Sequence, residues 1–287
     1  MLFDSHCHIQ FEQYDADREE LVNACKTAGV GGLCVGCDLE SSRKAVEFAY
    51  KHNNFWSSIG VHPTEWNAVF PREEFEKLLQ TSQKIVAVGE TGLDYYRMQG
   101  KMNQESPHQS KHGTGQARIR NQGEEEKIKE WQQQLFRDHI QFAKEKNLPL
   151  IIHCRQSHED VQKILKEQFT VIPDLIRDPV LKRGVLHCFS GTVADAQKYL
   201  ELGFYISFTG IITFAKQYDE VIHSVPLEKI LIETDSPFLT PVPYRGKRNN
   251  PMYVEYVAKR ISEIKNVSYE EVVDATWHNA KKLFSLS

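Results

Sequence analysis

The chain has 287 residues, 40% of them hydrophobic and 26% charged, with a formal net charge of −4. These are the proportions of a soluble globular enzyme, and they exclude a global basic footprint, so any contact with nucleic acid has to come from a local patch or from metal ions. No apolar run approaches the roughly 20 residues of a membrane helix, and the N-terminus lacks the basic start and long apolar stretch of a signal peptide, so a cytoplasmic protein is the expectation.

Apolar, β-rich runs alternate with amphipathic stretches from end to end. The first predicted strand is Met1–Ile9, followed by a helix near Ala16–Ala28; the second is Gly31–Gly36, followed by a helix from Glu40 to about His52. Phe55–Val61 reads as strand three with a helix at Arg72–Gln80, and Ile85–Gly89 as strand four. Glu125–Lys146 carries Ile128, Trp131, Leu135, Ile140 and Phe142 at near-helical spacing. Strand five is Leu150–His153, followed by a helix at Glu159–Lys166. Strands six to eight are Gly184–His187, Phe204–Ser207 and Lys229–Glu233, and helices near Met252–Lys265 and Tyr269–Phe284 close the chain. Eight strands with no composition break predict a single α/β domain over 1–287, a (β/α)8 TIM barrel. A doubly wound open sheet would gather its chemistry at one switch point of the strand order. Here polar candidates stand at the ends of six strands, and only a barrel brings so many ends around one mouth.

Two segments interrupt this rhythm, near 97–126 and 170–182. The first is polar and aperiodic, and reads as a solvated insertion despite the basic residues Lys111, Arg118 and Arg120.

The chemistry starts at Asp4-Ser-His6-Cys-His8. Strand alternation predicts Asp4, His6 and His8 on one face, pointing into the barrel, with Cys7 turned away. Three polar groups buried together need a partner, and a divalent cation supplies one. Glu90, His153, His187 and Asp235 stand at or just past the ends of strands four, five, six and eight. The six candidate ligands His6, His8, Glu90, His153, His187 and Asp235 exceed what one tetrahedral ion takes. They suffice for two ions sharing a bridging carboxylate, with Glu90 the expected bridge. Cys154 and Cys188, each beside a histidine, are expected with Cys7 on the outer barrel wall. Cys34-Val-Gly-Cys37 has no partner pair and reads as structural.

The blocks Leu2-Phe-Asp4-Ser-His6-Cys-His8-Ile, Pro149-Leu-Ile-Ile-His153-Cys-Arg155 and Ile232-Glu-Thr-Asp235-Ser-Pro resemble the three signatures of the TatD-type deoxyribonucleases. Gly60-Val-His62-Pro, Gly89-Glu90-Thr-Gly-Leu-Asp94 and Val185-Leu-His187-Cys-Phe-Ser-Gly fit as well, and the loop Phe238–Asn249 is similar to the YcfH-like branch. The resemblance covers nearly the whole chain. It implies His6, His8, Glu90 and Asp235 on one ion, and Glu90, His153 and His187 on the second, the ions being magnesium, manganese or zinc. It also implies a DNA substrate, single-stranded or frayed at its end, cut in the 3'-5' exonuclease manner.

Around that centre, Asp235 and Glu90 are the expected catalytic carboxylates, Asp235 as general base. His62, Asp94, Arg155 and Arg245 are the expected substrate contacts, Asp94 orienting a ligand or the scissile group or else capping a loop, and Arg155 through a planar fork that matches phosphate. Lys247 and Arg248 share the loop after strand eight with Arg245, where TIM barrels frequently bind phosphate. Glu233 shares strand parity with Asp235 and is expected to point inward behind a ligand. Tyr95, Tyr96, Phe238 and Tyr244 are candidate faces for an unstacked base, while Phe189 reads as core. A monomer is the expectation. The same metal site on a different bond gives the alternatives: an amidohydrolase-type esterase or amidase, or a D-aminoacyl-tRNA deacylase. A non-enzymatic barrel held together by its metals is the third reading.

Overall fold

The structure is a computed structural model that describes residues 1–99, 122–169 and 183–286. Most of the two expected insertions, with Lys111, Arg118 and Arg120, lies outside the described residues. In chain order the elements are β1 (Leu2–Cys7), α1 (Arg18–Thr27), β2 (Val30–Cys34), α2 (Leu39–Lys51), β3 (Phe55–Ile59) and α3 (Arg72–Thr81). There follow β4 (Ile85–Asp94), α4 (Gln122–Lys146), β5 (Leu150–Arg155), α5 (His158–Phe169), β6 (Gly184–Leu186) and α6 (Val193–Glu201). The chain ends with β7 (Tyr205–Phe208), α7 (Asp219–Ser224), β8 (Ile230–Ile232), α8 (Val254–Lys265) and α9 (Tyr269–Phe284). The helices α6 and α7 were not predicted. They have nine and six residues, too short to carry more than two turns of apolar periodicity.

All eight strands form one parallel sheet in the order β1 to β8, as expected for the barrel. Its seam closes just past β8, where His8 N–H donates to Ser236 O at 2.8 Å and Asp235 N–H to His6 O at 2.9 Å. Two hydrophobic layers follow from strand alternation. Side chains such as Ile59, Val88, Leu150, Ile152 and Ile206 pack outward under the helices. Phe3, Leu33, Trp56, Ile151, Val185 and Leu231 fill the interior, against Leu283 and Phe284 of α9 at the end remote from the polar strand ends.

One local feature overturns an expectation. Asp4 pairs with Gly32 and Cys7 with Cys34, so three steps along β1 match two along β2, which is a β-bulge. Phe3 and Ser5 face inward before it, Ser5 Oγ lying 3.2 Å from Ser207 Oγ of β7. His6 and His8 face inward after it, and Asp4 does not share their face. Its carboxylate instead accepts the Thr234 N–H at 2.9 Å, the Thr234 hydroxyl at 2.5 Å and the His6 N–H at 3.2 Å. Asp4 thus clamps the barrel seam, and those bonds satisfy a group that would otherwise be costly to bury.

His139 of α4 is a second buried polar strut. Its Nε2 accepts the Val61 N–H at 2.9 Å and its Nδ1 donates to Leu135 O at 2.7 Å, which fixes the segment leading into His62. Burial lowers its pKa to about 4, below the roughly 6.5 of an unfolded histidine. Between those values the unfolded chain binds the extra proton. The contribution is therefore fully present above about pH 6.5 and is lost as pH falls towards 4, by at most about 3 kcal/mol. Urea unfolding of metal-free protein is expected to weaken more steeply between pH 7 and 4.5 for the wild type than for His139→Gln. Equal slopes would contradict this account.

Candidate metal centre at the barrel mouth

Six strand ends deliver their side chains to one spot. Glu90, only 2% exposed, is its middle. One carboxylate oxygen, Oε2, lies 3.4 Å from His6 Nε2. The other, Oε1, lies 2.9 Å from His153 Nδ1, 2.9 Å from His187 Nε2 and 3.3 Å from His62 Nε2. On the Oε2 side, His6 Nε2 and His8 Nε2 are 3.1 Å apart, with Asp235 Oδ1 at 3.7 Å and 3.4 Å from them. The six expected ligands are therefore all brought together. Among the described residues, four overlapping sets of donors have atoms within 4.8 Å of one another: His6–His8–Asp235, His6–His187–Glu233, His8–Cys37–Glu90 and His62–Glu90–His153.

Backbone geometry builds this spot. Asp235 sits at φ 54°, which turns its side chain back over the mouth just beyond β8. Gly92 at φ 134° lets β4 run past β5, because a Cβ there would lie 2.0 Å from His153 O.

The polar contacts behind the candidate ligands set which ring nitrogen is available. His8 Nδ1 lies 2.9 Å from Val35 O, a bond only a protonated Nδ1 can make, so its Nε2 lone pair faces Asp235 and His6. His153 Nε2 is 3.2 Å from Asp94 Oδ2, which leaves Nδ1 towards Glu90. His187 Nδ1 is 3.2 Å from Glu233 Oε1, which leaves Nε2 towards Glu90. These are carboxylate–histidine pairs of the kind that orient metal ligands and raise their basicity. His62 differs. Its Nδ1 accepts the Thr64 N–H at 3.1 Å, so the neutral ring carries its proton on Nε2 and is a donor. Burial lowers the His62 pKa to about 4, which keeps it neutral.

The electrostatics are those of a cation site. Burial alone would push Glu90 up, but His187, His62 and His153 outweigh it and hold the carboxyl well below its usual range. Burial likewise opposes charge on His187, yet Glu90 and Glu233 raise it well above an ordinary histidine. Asp235, despite burial, is held at about 2 by its bond to His8 and by the imidazoles of His6 and His187. Carboxylates that hold protons on imidazoles this strongly also favour divalent cations, whose binding displaces those protons. The donor chemistry fits: an imidazole-rich set with shared carboxylates suits zinc, manganese or iron.

The remaining expectations divide. Asp94, expected to orient a ligand or the scissile group, is buried behind the candidate ligand His153, its other oxygen accepting the Arg97 N–H at 2.9 Å. Arg155 lies over the Tyr96 ring at 4.0 Å, at the rim. Arg245 is exposed, its guanidinium 3.8 Å from the Phe214 ring centre. Arg248 is taken up by Asp17, at 2.5 Å and 3.0 Å, and by Gln13 O, and so braces α1. Tyr95 is core, its hydroxyl donating to Asp160 at 2.6 Å, and Phe189 is buried as expected. Cys7 and Cys154 are buried, but Cys188 is not on the outer wall. It lies in the turn after β6, partly exposed, and its N–H donates to Glu233 Oε1 at 2.6 Å.

Two contributors were not foreseen. Cys37 places Sγ 3.8 Å from Glu90 Oε2 and 3.9 Å from His8 Nδ1, although its C-x-x-C spacing signals no such placement. Gln132 of α4 accepts the Asp94 N–H at 2.9 Å and donates to Pro63 O and Asp94 O, tying the His62 turn to the end of β4.

Comparison with known proteins shows the family to which the chain belongs. The family model described as TatD related DNase matches residues 3–285. The chain is 39% identical over 293 residues to an uncharacterized metal-dependent hydrolase, YabD, of Bacillus subtilis strain 168, with all of both chains covered. It is 30% identical over 298 residues to the 3'-5' ssDNA/RNA exonuclease TatD of Escherichia fergusonii, again over the full length of both. Its fold is similar to the crystal structure of YJJV, a TatD homolog of Escherichia coli K12, with a TM-score of 0.81 at 25% identity, covering 100% of this chain and 98% of that one. No helix among the described residues is long and apolar enough to cross a membrane. The chain therefore belongs to the TatD-related DNase family and is a metal-dependent hydrolase.

Proposed function

We propose that the chain hydrolyses phosphodiester bonds of DNA, acting on single strands or frayed ends in the 3'-5' direction. The observation that carries this reading is the division of the Glu90 carboxylate between two donor groups, His6, His8 and Asp235 on one side and His153 and His187 on the other. In this reading His6, His8, Glu90 and Asp235 would hold one divalent ion and Glu90, His153 and His187 a second. When bound, two such ions (magnesium, manganese or zinc) would lower the pKa of the attacking water and provide positive charge for the phosphoryl oxygens. Asp235, with a side chain 17% exposed while His6 and His8 are fully covered, accepts the proton of the attacking water. His62 donates its Nε2 proton to a phosphoryl oxygen, which suits a neutral ring in a desolvated site. Asp94 and Glu233 keep His153 and His187 in the ligating tautomer, and Arg245 meets strand phosphates from the rim. The relative named as a 3'-5' ssDNA/RNA exonuclease supports the substrate class and polarity.

The test is release of nucleotides from a 5'-labelled single-stranded oligomer, with and without phosphorothioates at its 3' end. Metal-stripped protein is supplied in turn with magnesium, manganese or zinc. Stepwise shortening that the 3' phosphorothioates block is expected. Turnover of a small ester, an amide or a D-aminoacyl-tRNA without nucleolysis under the same metals would overturn the reading.

A further inference from the structure

A cleft of about 400 Å³ opens beside the metal centre and is lined by Tyr96, Arg155, His158, Gly191 and Thr192, among others. Its walls are the ends of β4 and β5 and the first turns of α5 and α6. Arg155 is central to it. It follows His153 by two residues on β5, so both side chains leave the same face of the strand. Two strand residues span about 7 Å, comparable to the separation of neighbouring phosphates in an extended single strand.

Arg155 is also a cation without an acidic partner. Its register neighbour on β4 is Asp94, but Asp94 is occupied by His153 and Arg97, and among the described residues no carboxylate lies within ion-pair distance of Arg155. The guanidinium carbon instead lies over the Tyr96 ring, 4.0 Å from its centre, a contact that holds the fork without using its hydrogen-bond donors. The facing helix ends favour negative charge, since the N-terminal turns of α5 and α6 carry the positive ends of their dipoles. Among the residues that line the cleft the acid is Asp195, which is turned onto its own helix cap, while Asp160 in the first turn of α5 accepts the Tyr95 hydroxyl at 2.6 Å. Asp195 accepts the Thr192 N–H at 3.0 Å, the Thr192 hydroxyl at 2.7 Å and the Gln162 amide at 2.9 Å. A further polar atom is left over. His158 Nε2 is covered and has no hydrogen-bond partner, and a Cβ on Gly191 would lie 2.9 Å from it. The absence of a side chain at Gly191 keeps that edge of the ring beside the cleft.

We infer that this cleft is an anion subsite that holds the phosphate next to the scissile one, so that the enzyme grips a strand by two successive phosphates. Arg155 supplies the fork, Tyr96 holds it in place, and the helix ends complete the positive surround. This inference rests on the nuclease reading of the metal centre, and its test is separate from hydrolysis. A subsite one phosphate away from the chemistry requires a substrate with at least two linkages and gives mononucleoside esters little purchase.

The experiment is fluorescence anisotropy of labelled oligothymidylates with metal-stripped, full-length protein across a series of salt concentrations. Arg155→Met is expected to weaken binding about tenfold, the worth of one good charge-assisted contact. It is also expected to reduce the slope of log affinity against log salt by about 0.7, the signature of one lost phosphate contact on a single strand. Arg155→Lys is expected to restore the slope but only part of the affinity. As a second arm, oligomers with a single neutral methylphosphonate placed at successive linkages are expected to lose the same contact in wild-type protein at one position, where Arg155→Met adds nothing to the loss. Wild-type affinity and slope in Arg155→Met, or no binding of oligomers by the wild type, would overturn the subsite. Since no ion is present, these outcomes are independent of whether the loaded enzyme cuts DNA.

Discussion

Replacing Glu90 with glutamine is expected to lower the metal content of the protein from two ions per chain to one or none and to reduce nucleolytic kcat by at least about 10³-fold. The carboxamide keeps the volume of the side chain but removes the charge that both donor groups share. At present Oε1 faces His153 and His187 at 2.9 Å and Oε2 faces His6 at 3.4 Å. An amide presents one oxygen and one NH2, so one of the two groups would meet a donor where it needs an acceptor. Loss of metal-assisted activation of water and of charge stabilisation is large enough to account for such a fall. Elemental analysis after gel filtration, alongside the hydrolysis assay, checks it. A variant that keeps two ions and wild-type turnover would remove Glu90 from the bridging role. The metal-free variant is expected to stay folded, because the substitution removes a buried charge and leaves the barrel seam and both hydrophobic layers untouched.

The Asp235→Asn variant is expected to behave differently, losing about 10²–10⁴-fold in kcat, the range for general-base catalysis, while retaining most of its metal. Asparagine keeps an oxygen in the position of Oδ1, which lies 3.4 Å from His8 Nε2, but it cannot take up a proton. It also suits the backbone, since Asp235 sits at φ 54° and asparagine tolerates the left-handed region better than other residues with a Cβ. A structural explanation would instead predict loss of metal together with activity. Metal content and kcat measured on one preparation separate the two, and a parallel fall in both would count against the base role.

Much of the fold was legible in the sequence because parallel strands covered on both faces are near-continuous apolar runs. Leu150-Ile-Ile-His153 and Gly184-Val-Leu-His187 show both the run and the polar residue that ends it. The length of β4 was not legible. Glu90–Asp94 reads as a polar loop, yet it continues the strand because Gly92 removes the clash with His153 O. The bulge in β1 was equally hidden: alternation places Asp4 beside His6 and His8, and only the pairing with β2 shows the shift that sends it to Thr234. The convergence of the six candidate donors was legible from their places at strand ends, since each depends on strand position alone. The residues behind them depend on which chains pass nearby. Asp94 behind His153, Gln132 across from α4 and Cys37 beside Glu90 are products of packing between elements far apart in sequence. Arg248 shows the converse. Its place in a basic loop suggested phosphate, but Asp17 on the facing segment takes it up.

The proposed sharing of one carboxylate by two ions is tested most directly by a titration. Manganese or zinc is added stepwise to metal-stripped protein while nucleotide release from a labelled single-stranded DNA oligomer is followed. Little hydrolysis is expected at one equivalent, with a steep rise at the second and a plateau at two ions per chain. Full activity at a single equivalent, or none at any metal level, would contradict that sharing.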